Sequence, residues 1–203
     1  MNISEKFYKK ENWNAIKIFG KEEIGVKITI NGGHYPGHDS GAVGRTGLQE
    51  ADVNHDVMIR VADFLRAISC DVQEVQVNTL REIVAAAKEF GAEVFVSIHC
   101  NGSYNPDAKG TETFCYALGG ESERLAVCIQ NQIVSHLETE DRGVKTGNFY
   151  VLRMLECPAV LVETAFITNE SDEALLADEV KRDQLAAAIA RGITDYLSAG
   201  PGL

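Results

Sequence analysis

The chain has 203 residues, a length that suits one domain with a substantial buried core. Hydrophobic residues make up 45% of it and charged residues 24%, as in ordinary globular proteins. The 19 Lys and Arg residues against 30 Asp and Glu residues give a net charge of −11. Phosphate backbones and anionic membrane surfaces would repel such a chain, so we predict no nucleic acid partner.

The five cysteines include no CxxC pair, which argues against a disulfide framework or a thiolate zinc site. No run of about 20 apolar residues occurs, so we predict no membrane span. The first residues lack the apolar centre of a signal peptide. Residues 1–24 are polar and mixed, and we predict an N-terminal extension there, with a short strand over 15–19, before one folded domain over 25–203.

Strand-like and helix-like segments then alternate along the chain. Apolar runs or alternation predict strands over 26–30, 72–77, 93–98, 111–116 and 159–162. Apolar positions at helical spacing predict helices over 51–69, 80–90, 122–137 and 182–197, with Gly91 following the second and Ser171 a candidate cap for a further helix. This alternation predicts an α/β fold with a largely parallel sheet and helices on both faces.

Ionisable residues follow three of the predicted strands, where parallel sheets open onto ligand clefts. His34 lies in the glycine-containing loop after the first strand, His99 follows residues 93–98, and Glu163 follows residues 159–162. Glu50 stands where a polar loop enters the first predicted helix. The sequence therefore predicts a cluster of these four side chains at one edge of the sheet.

Histidine and carboxylate are the usual ligands of a catalytic zinc, and three of them leave one position open for water. His34, Glu50 and His99 form such a set, and zinc lowers the pKa of its water from 15.7 to about 7. Glu163 could then take a proton and pass it to a leaving amine. The spacing alone leaves a plainer reading open, in which His34 lies in a turn, His99 is a hydrogen-bonded core residue and both glutamates are solvated.

A family resemblance adds to this reading. The chain resembles the zinc N-acetylmuramoyl-L-alanine amidases of the Amidase_3 type over roughly residues 25–197. The matching segments, in family order, are GH at 33–34, DSGAVG at 39–44, GLQE at 47–50, FVSIHCN at 95–101, GTE at 110–112, RGVK at 142–145, VLR at 151–153 and PAVLVETAFITN at 158–169. The loop at 31–37 reads NGGHYPG and departs from the Pro-Gly-His-Gly-Gly loop frequent in the family.

The resemblance implies one zinc ion per chain, with His34, Glu50 and His99 as its ligands and Glu163 as the catalytic carboxylate. It implies a single α/β domain, with a twisted, mostly parallel sheet of about six strands flanked by helices on both faces. Residues 25–203 would then be the amidase catalytic domain. The implied substrate is peptidoglycan, cut between N-acetylmuramic acid and L-alanine, and the implied place of action is the bacterial cell wall, as for autolysins and endolysins. Nothing in the sequence indicates an oligomeric state.

Two other functions share parts of this pattern. A zinc peptidase cutting within the stem peptide could use the same four residues. A non-catalytic wall-binding module would be expected to lack a ligand or the catalytic carboxylate, and all four are present. A thiol nucleophile at Cys100 is a third reading, but adjacent strand residues point to opposite faces, so Cys100 should turn away from His99.

Several further polar residues have a functional and a structural reading. Asn101 could orient a ligand or stabilise its loop, and Glu112 could approach the site or support a strand edge. Arg142 and Lys145 could bind carboxylates of the peptide or lie in a solvated loop. We expect the remaining histidines, His38, His55 and His136, to be solvated.

Overall fold

The computed structural model describes residues 25–200 of the chain. The predicted extension over 1–24 and the predicted strand over 15–19 lie outside the described residues. Within residues 25–200, no helix combines the length and apolar character needed to cross a membrane.

Strands and helices alternate as predicted. In chain order the described elements are β1 (Lys27–Gly32), α1 (Glu50–Arg66), β2 (Asp71–Val75), α2 (Leu80–Phe90), β3 (Val94–Asn101), β4 (Thr111–Cys115), α3 (Glu121–Leu137), β5 (Asp141–Thr146), α4 (Tyr150–Arg153), β6 (Ala159–Phe166), α5 (Glu170–Ala177) and α6 (Glu179–Ser198).

The six strands form one sheet in the order β2-β1-β3-β6-β4-β5. Strands β2, β1, β3 and β6 run parallel to one another. Strand β4 is antiparallel to β6, and β5 is parallel to β4. The prediction of a mostly parallel sheet of about six strands is therefore confirmed. The parallel strands β1, β3 and β6 have their carboxyl ends at the same edge of the sheet.

Both faces of the sheet are covered by helices, as is usual for parallel strands, and apolar side chains are buried between the sheet and the helices. On one face α1, α3 and α6 contribute residues such as Val57, Ile129 and Ile189 to the larger core. On the other face α2 and α4 contribute Ile83 and Val151 to a smaller core around Phe95. Since α4 has only four residues, this second face is less fully covered and leaves room beside the strands.

Strands β3 and β6 extend further than their apolar runs indicate. The predicted strands stop at residues 98 and 162, whereas the pairing continues through His99 opposite Glu163 and Asn101 opposite Phe166. Backbone hydrogen bonding does not depend on side-chain polarity, so an ionisable residue can occupy a strand. His99 and Glu163 are therefore fixed within the sheet and do not lie in loops that follow it.

Other boundaries differ from the prediction for local reasons. Residues 141–146, expected to be a loop, form the edge strand β5, which has no apolar run because its side chains are exposed or half-buried. The predicted cap Ser171 is wrong: the Asn169 side chain accepts hydrogen bonds from the backbone N–H groups of Ser171 and Asp172. Gly91 follows α2 at φ 74°, in the left-handed conformation expected of it.

Candidate metal centre and catalytic carboxylate

His34 lies just after β1 and is oriented by a neighbouring carboxylate. Its Nδ1 donates a hydrogen bond to Asp39 Oδ2 at 2.8 Å, and Tyr35 and Asp39 form an isolated antiparallel bridge that closes the loop. This bond directs Nε2 inward, 3.2 Å from Glu50 Oε2. A carboxylate partner on the outer ring nitrogen is typical of histidines that bind metals.

Glu50 is the first residue of α1, where the helix dipole favours a negative charge. The residue is 3% exposed, and backbone groups hold its carboxylate in place. Oε2 accepts a hydrogen bond from Ala42 N–H at 2.8 Å, and Oε1 accepts one from Cys100 N–H at 3.1 Å. Glu50 therefore ties the loop after β1 to the carboxyl end of β3.

His99 completes the group from β3, with Nδ1 2.9 Å from Glu50 Oε1. Two glycines make room for the rings. A Cβ on Gly33 would stand 2.2 Å from the His99 ring, and one on Gly41 would stand 2.5 Å from Glu50 Oε2. Gly41 also has a φ of 63°, which favours glycine. Any side chain at these positions would displace the cluster.

One potential ligand atom each from His34, Glu50 and His99 lies within 4.8 Å of the other two. Two ligand atoms bound to one zinc ion, each about 2 Å from it, lie at most roughly 4 Å apart. The separation found here is only slightly larger. The donor set, two imidazoles and one carboxylate, is that of catalytic zinc sites that keep a position open. The three side chains predicted as ligands are thus brought together by three separate elements.

The electrostatics of the cluster favour positive charge beside Glu50. The hydrogen bond to Glu50 is the largest cause that raises the pKa of His34 to about 9. Burial raises the pKa of Glu50, but hydrogen bonds from His34 and His99 outweigh it, and the pKa lies well below its usual range. A carboxylate that stays ionised in a buried position is suited to hold a cation.

Glu163 lies next to this cluster on β6, directly opposite His99 in the parallel register. Its Oε2 is buried and has no hydrogen-bond partner among residues 25–200. Burial is the main cause that raises the pKa of Glu163 to about 7; His99 opposes this rise, and the Glu50 and Glu112 carboxylates add to it. A carboxyl group with a pKa near neutrality can both accept and return a proton.

A cavity of about 480 Å³ opens beside the cluster, on the less covered face of the sheet. His34, His99 and Glu163 line one end of it, and its other walls include Leu80 and Phe149. Its volume falls within the range of about 300–1,000 Å³ typical of small-molecule sites. These three side chains therefore face a space large enough for part of a small molecule.

The other histidines and the Cys100 thiol are not part of this group. His38, His55 and His136 are exposed, as expected. Cys100 is 2% exposed, its Sγ lies 3.4 Å from Asn54 Oδ1, and burial raises the pKa of its thiol. It faces away from His99, as the strand alternation predicts.

Two supporting residues were not singled out from the sequence. Asp39 lies five positions after His34, so its bond to that ring could have been suspected from its spacing. Glu173 of α5 is 3% exposed and accepts hydrogen bonds from the N–H groups of Arg45 and Thr46. It anchors the loop between His34 and Glu50 from 127 residues away, and no local pattern indicates such a contact.

The model of the Amidase_3 family, described as N-acetylmuramoyl-L-alanine amidase, matches residues 28–195. The chain belongs to the Amidase_3 family. That match includes the four site residues and nearly all described strands and helices, and it confirms the predicted resemblance. The family consists of hydrolases that act on an amide bond.

Curated relatives agree with the family match. The chain is 40% identical over 179 residues to N-acetylmuramoyl-L-alanine amidase LytC of Bacillus subtilis, an alignment covering 85% of this chain and 36% of LytC. It is 43% identical over 178 residues to YqiI of the same organism, an uncharacterized protein, with 85% of each chain covered. This Amidase_3 chain thus corresponds to most of YqiI and to about a third of LytC.

Solved structures share the fold. N-acetylmuramoyl-L-alanine amidase AmiC2 of Nostoc punctiforme superposes with a TM-score of 0.78 at 37% identity, covering 85% of this chain and 97% of that one. An N-acetylmuramoyl-L-alanine amidase from Clostridium difficile 630 gives a TM-score of 0.80 at 33% identity, covering 87% and 98%. The predicted single-domain α/β fold is therefore confirmed.

Proposed function

We propose that this Amidase_3 chain hydrolyses the amide bond between N-acetylmuramic acid and L-alanine in peptidoglycan, with one zinc ion per chain. The observation that carries the proposal is the position of Glu163, whose buried Oε2 has no hydrogen-bond partner within residues 25–200, beside a His₂Glu cluster that borders an open cavity. The names of LytC and AmiC2 support the choice of bond. The proposal keeps the predicted division into an extension over 1–24 and a catalytic domain over 25–203.

His34, Glu50 and His99 would hold the metal. Their donor types fit zinc, and the glycines at 33 and 41 allow the close packing that the cluster needs. Asp39 would keep His34 in the tautomer that presents Nε2. Bound zinc would act as a Lewis acid, polarising the scissile carbonyl and lowering the pKa of water.

Glu163 would carry the proton transfers. As water attacks the lactyl carbonyl carbon, the Glu163 carboxylate takes a proton from it, and a C–O bond forms. When the C–N bond breaks, Glu163 returns a proton to the nitrogen of L-alanine, which leaves as the amine of the free stem peptide. The backbone pairing of Glu163 with His99 supports this role, because both residues lie in strands and not in a movable loop.

Mass spectrometry of the fragments released from purified peptidoglycan tests the proposal. We expect stem peptides that begin at L-alanine, no release in the presence of a chelator, and recovery when zinc is added. Fragments cut within the stem peptide would instead establish the zinc peptidase. Binding to intact wall by the zinc-loaded protein, without any fragment, would favour the wall-binding module.

A further inference from the structure

Two cations on strand β5 converge on one carboxylate near the catalytic group. Arg142 Nε donates a hydrogen bond to Glu112 Oε2 at 2.8 Å, and Lys145 Nζ forms an ion pair with the same oxygen. Asn101 Nδ2 donates to the other oxygen, Glu112 Oε1, at 2.8 Å. Two positive charges therefore meet at the Glu112 carboxylate.

These cations lie on the same face of the sheet as Glu163. Glu112 is paired with Glu163 across the antiparallel strands β4 and β6, and Lys145 is paired with Phe114 across β4 and β5. Glu112 and Phe114 are two residues apart on β4, so both side chains point to the same face. Because neighbouring strands are about 4.8 Å apart, β5 lies about 10 Å from β6.

The cations are more accessible than the carboxylate that they share. The side chains of Arg142 and Lys145 are 30% and 40% exposed, against 8% for Glu112. The Arg142 guanidinium stacks over the Phe166 ring at 4.8 Å and donates once more, to Lys109 O at 3.3 Å. Its plane is thus fixed, while its remaining N–H groups contact no acceptor among residues 25–200.

A preorganised, partly exposed pair of cations is suited to bind a carboxylate, and an arginine can do so with two parallel hydrogen bonds. A chain extends at most about 3.3–3.6 Å per residue, so about 10 Å corresponds to about three residues. On the proposed substrate, a carboxylate carried by one of the first three residues of the stem peptide would lie within that distance of the L-alanine nitrogen. The wall of the cavity that includes Leu80 and Phe149 offers apolar groups instead.

We propose that Arg142 and Lys145 form a subsite for a carboxylate of the stem peptide, on the leaving side of the scissile bond. This inference rests on the proposed function, because it assumes that an acidic stem peptide occupies the cleft. Glu112 holds the two cations in position. The pair thereby determines specificity between acidic and neutral peptides.

The test compares two muramyl tripeptides, one with free carboxylates and one with the same groups amidated. Lys145→Met is the informative variant, because Arg142 still neutralises Glu112 and the fold is preserved. We expect kcat/KM for the acidic substrate to fall about tenfold, mainly through a higher KM, which corresponds to about 1.4 kcal/mol. The amidated substrate should be cleaved as by the wild type. Lys88→Met, an exposed change on α2, is the matched control.

If Lys145 had a purely structural role, Lys145→Met would lower the rates for both substrates equally, and that result would overturn the inference. An unchanged rate for both substrates would overturn it as well. Calorimetric binding of the two released tripeptides separates this inference from the proposed function. If the wild type cleaves neither substrate but binds the acidic peptide more tightly through Lys145, the subsite stands and the proposed reaction fails. If it cleaves both and shows no such preference, only the subsite fails.

Discussion

His99 and Glu163 are direct neighbours across two parallel strands, β3 and β6. His99 also contacts Glu50, so one strand pair joins the candidate metal cluster to the candidate proton-transfer group. The backbones of both residues are held by the hydrogen bonds of the sheet, so neither residue depends on loop closure for its position. This relationship assigns different roles to the two residues, and substitutions can separate these roles.

Replacing the proton-transfer group should abolish turnover without loss of metal. We expect Glu163→Gln to lower kcat by about 10²–10⁴-fold, the usual contribution of a general acid–base group. The bound zinc, measured by elemental analysis, should stay at the wild-type level because Glu163 is not among the cluster of ligands. Glu89→Gln, an exposed change on α2, is the control. A near-normal kcat in Glu163→Gln would refute the assigned role.

The close approach of Gly33 to His99 predicts a steric defect in metal binding. In Gly33→Ala the new Cβ would stand 2.2 Å from the ring, so the ring must move away from Glu50. We expect zinc affinity, measured by competition with a chromophoric chelator, to fall at least about tenfold, as for other changes that misplace a ligand. Gly120→Ala is the matched control, since a Cβ there meets nothing within 4 Å. Equal affinities for the two variants would contradict this account.

Glu173 should matter for the stability of the fold. Glu173→Ala leaves the N–H groups of Arg45 and Thr46 without their acceptor, and we expect the free energy of unfolding to fall by about 2 kcal/mol or more. Chemical denaturation measures this change. Glu170→Ala, on the same helix but exposed, should change stability by no more than about 0.5 kcal/mol. Similar losses in the two variants would show that the loop is not anchored through Glu173.

The same carboxylate predicts a pH dependence. Burial raises the pKa of Glu173, but its hydrogen bonds from Thr46 and Arg45 outweigh that effect and lower the pKa. A lowered folded pKa means that the stabilisation is present above the unfolded value of about 4.3 and is lost as the pH falls through the folded value. Stability curves of wild type and Glu173→Ala should therefore converge in acid. A constant difference down to acidic pH would argue against an ionised Glu173.

The buried thiol of Cys100 should be dispensable for catalysis. We expect Cys100→Ala to keep kcat close to wild type, with a stability loss of about 1 kcal/mol from the lost packing and hydrogen bond. Alkylating reagents should not inactivate the native enzyme, because Cys100 is 2% exposed and burial raises its pKa. Loss of turnover with zinc still bound would revive a thiol mechanism.

The main architecture could be predicted because apolar periodicity reflects burial directly. The helix Leu80–Phe90 was predicted at its observed limits, because its apolar residues recur at helical spacing and Gly91 marks its end. The positions of His34, His99 and Glu163 after apolar runs indicated one edge of the sheet, because parallel strands end together. The structure brings these residues and Glu50 together as that reasoning expected.

Other features depend on contacts that no local pattern records. Strand β5 lies at the edge of the sheet with exposed or half-buried side chains, so it has no apolar run. Its pairing with β4 therefore could not be predicted from the sequence. The ion pairs of Arg142 and Lys145 with Glu112 join residues at least 30 positions apart. The hydrogen bonds from Arg45 and Thr46 to Glu173 join residues that are even further apart along the chain. In each case a polar side chain forms a hydrogen bond or ion pair with a residue far away in the sequence. Only the folded backbone brings the two residues together.

The central claim is that catalysis requires one zinc ion held by His34, Glu50 and His99. The most direct test removes metal with a chelator, titrates zinc back and measures cleavage of the muramyl–L-alanine bond after each addition. We predict negligible activity in the stripped protein and a linear rise that levels off at one zinc per chain. Full activity in protein whose metal content has fallen below detection would contradict the account.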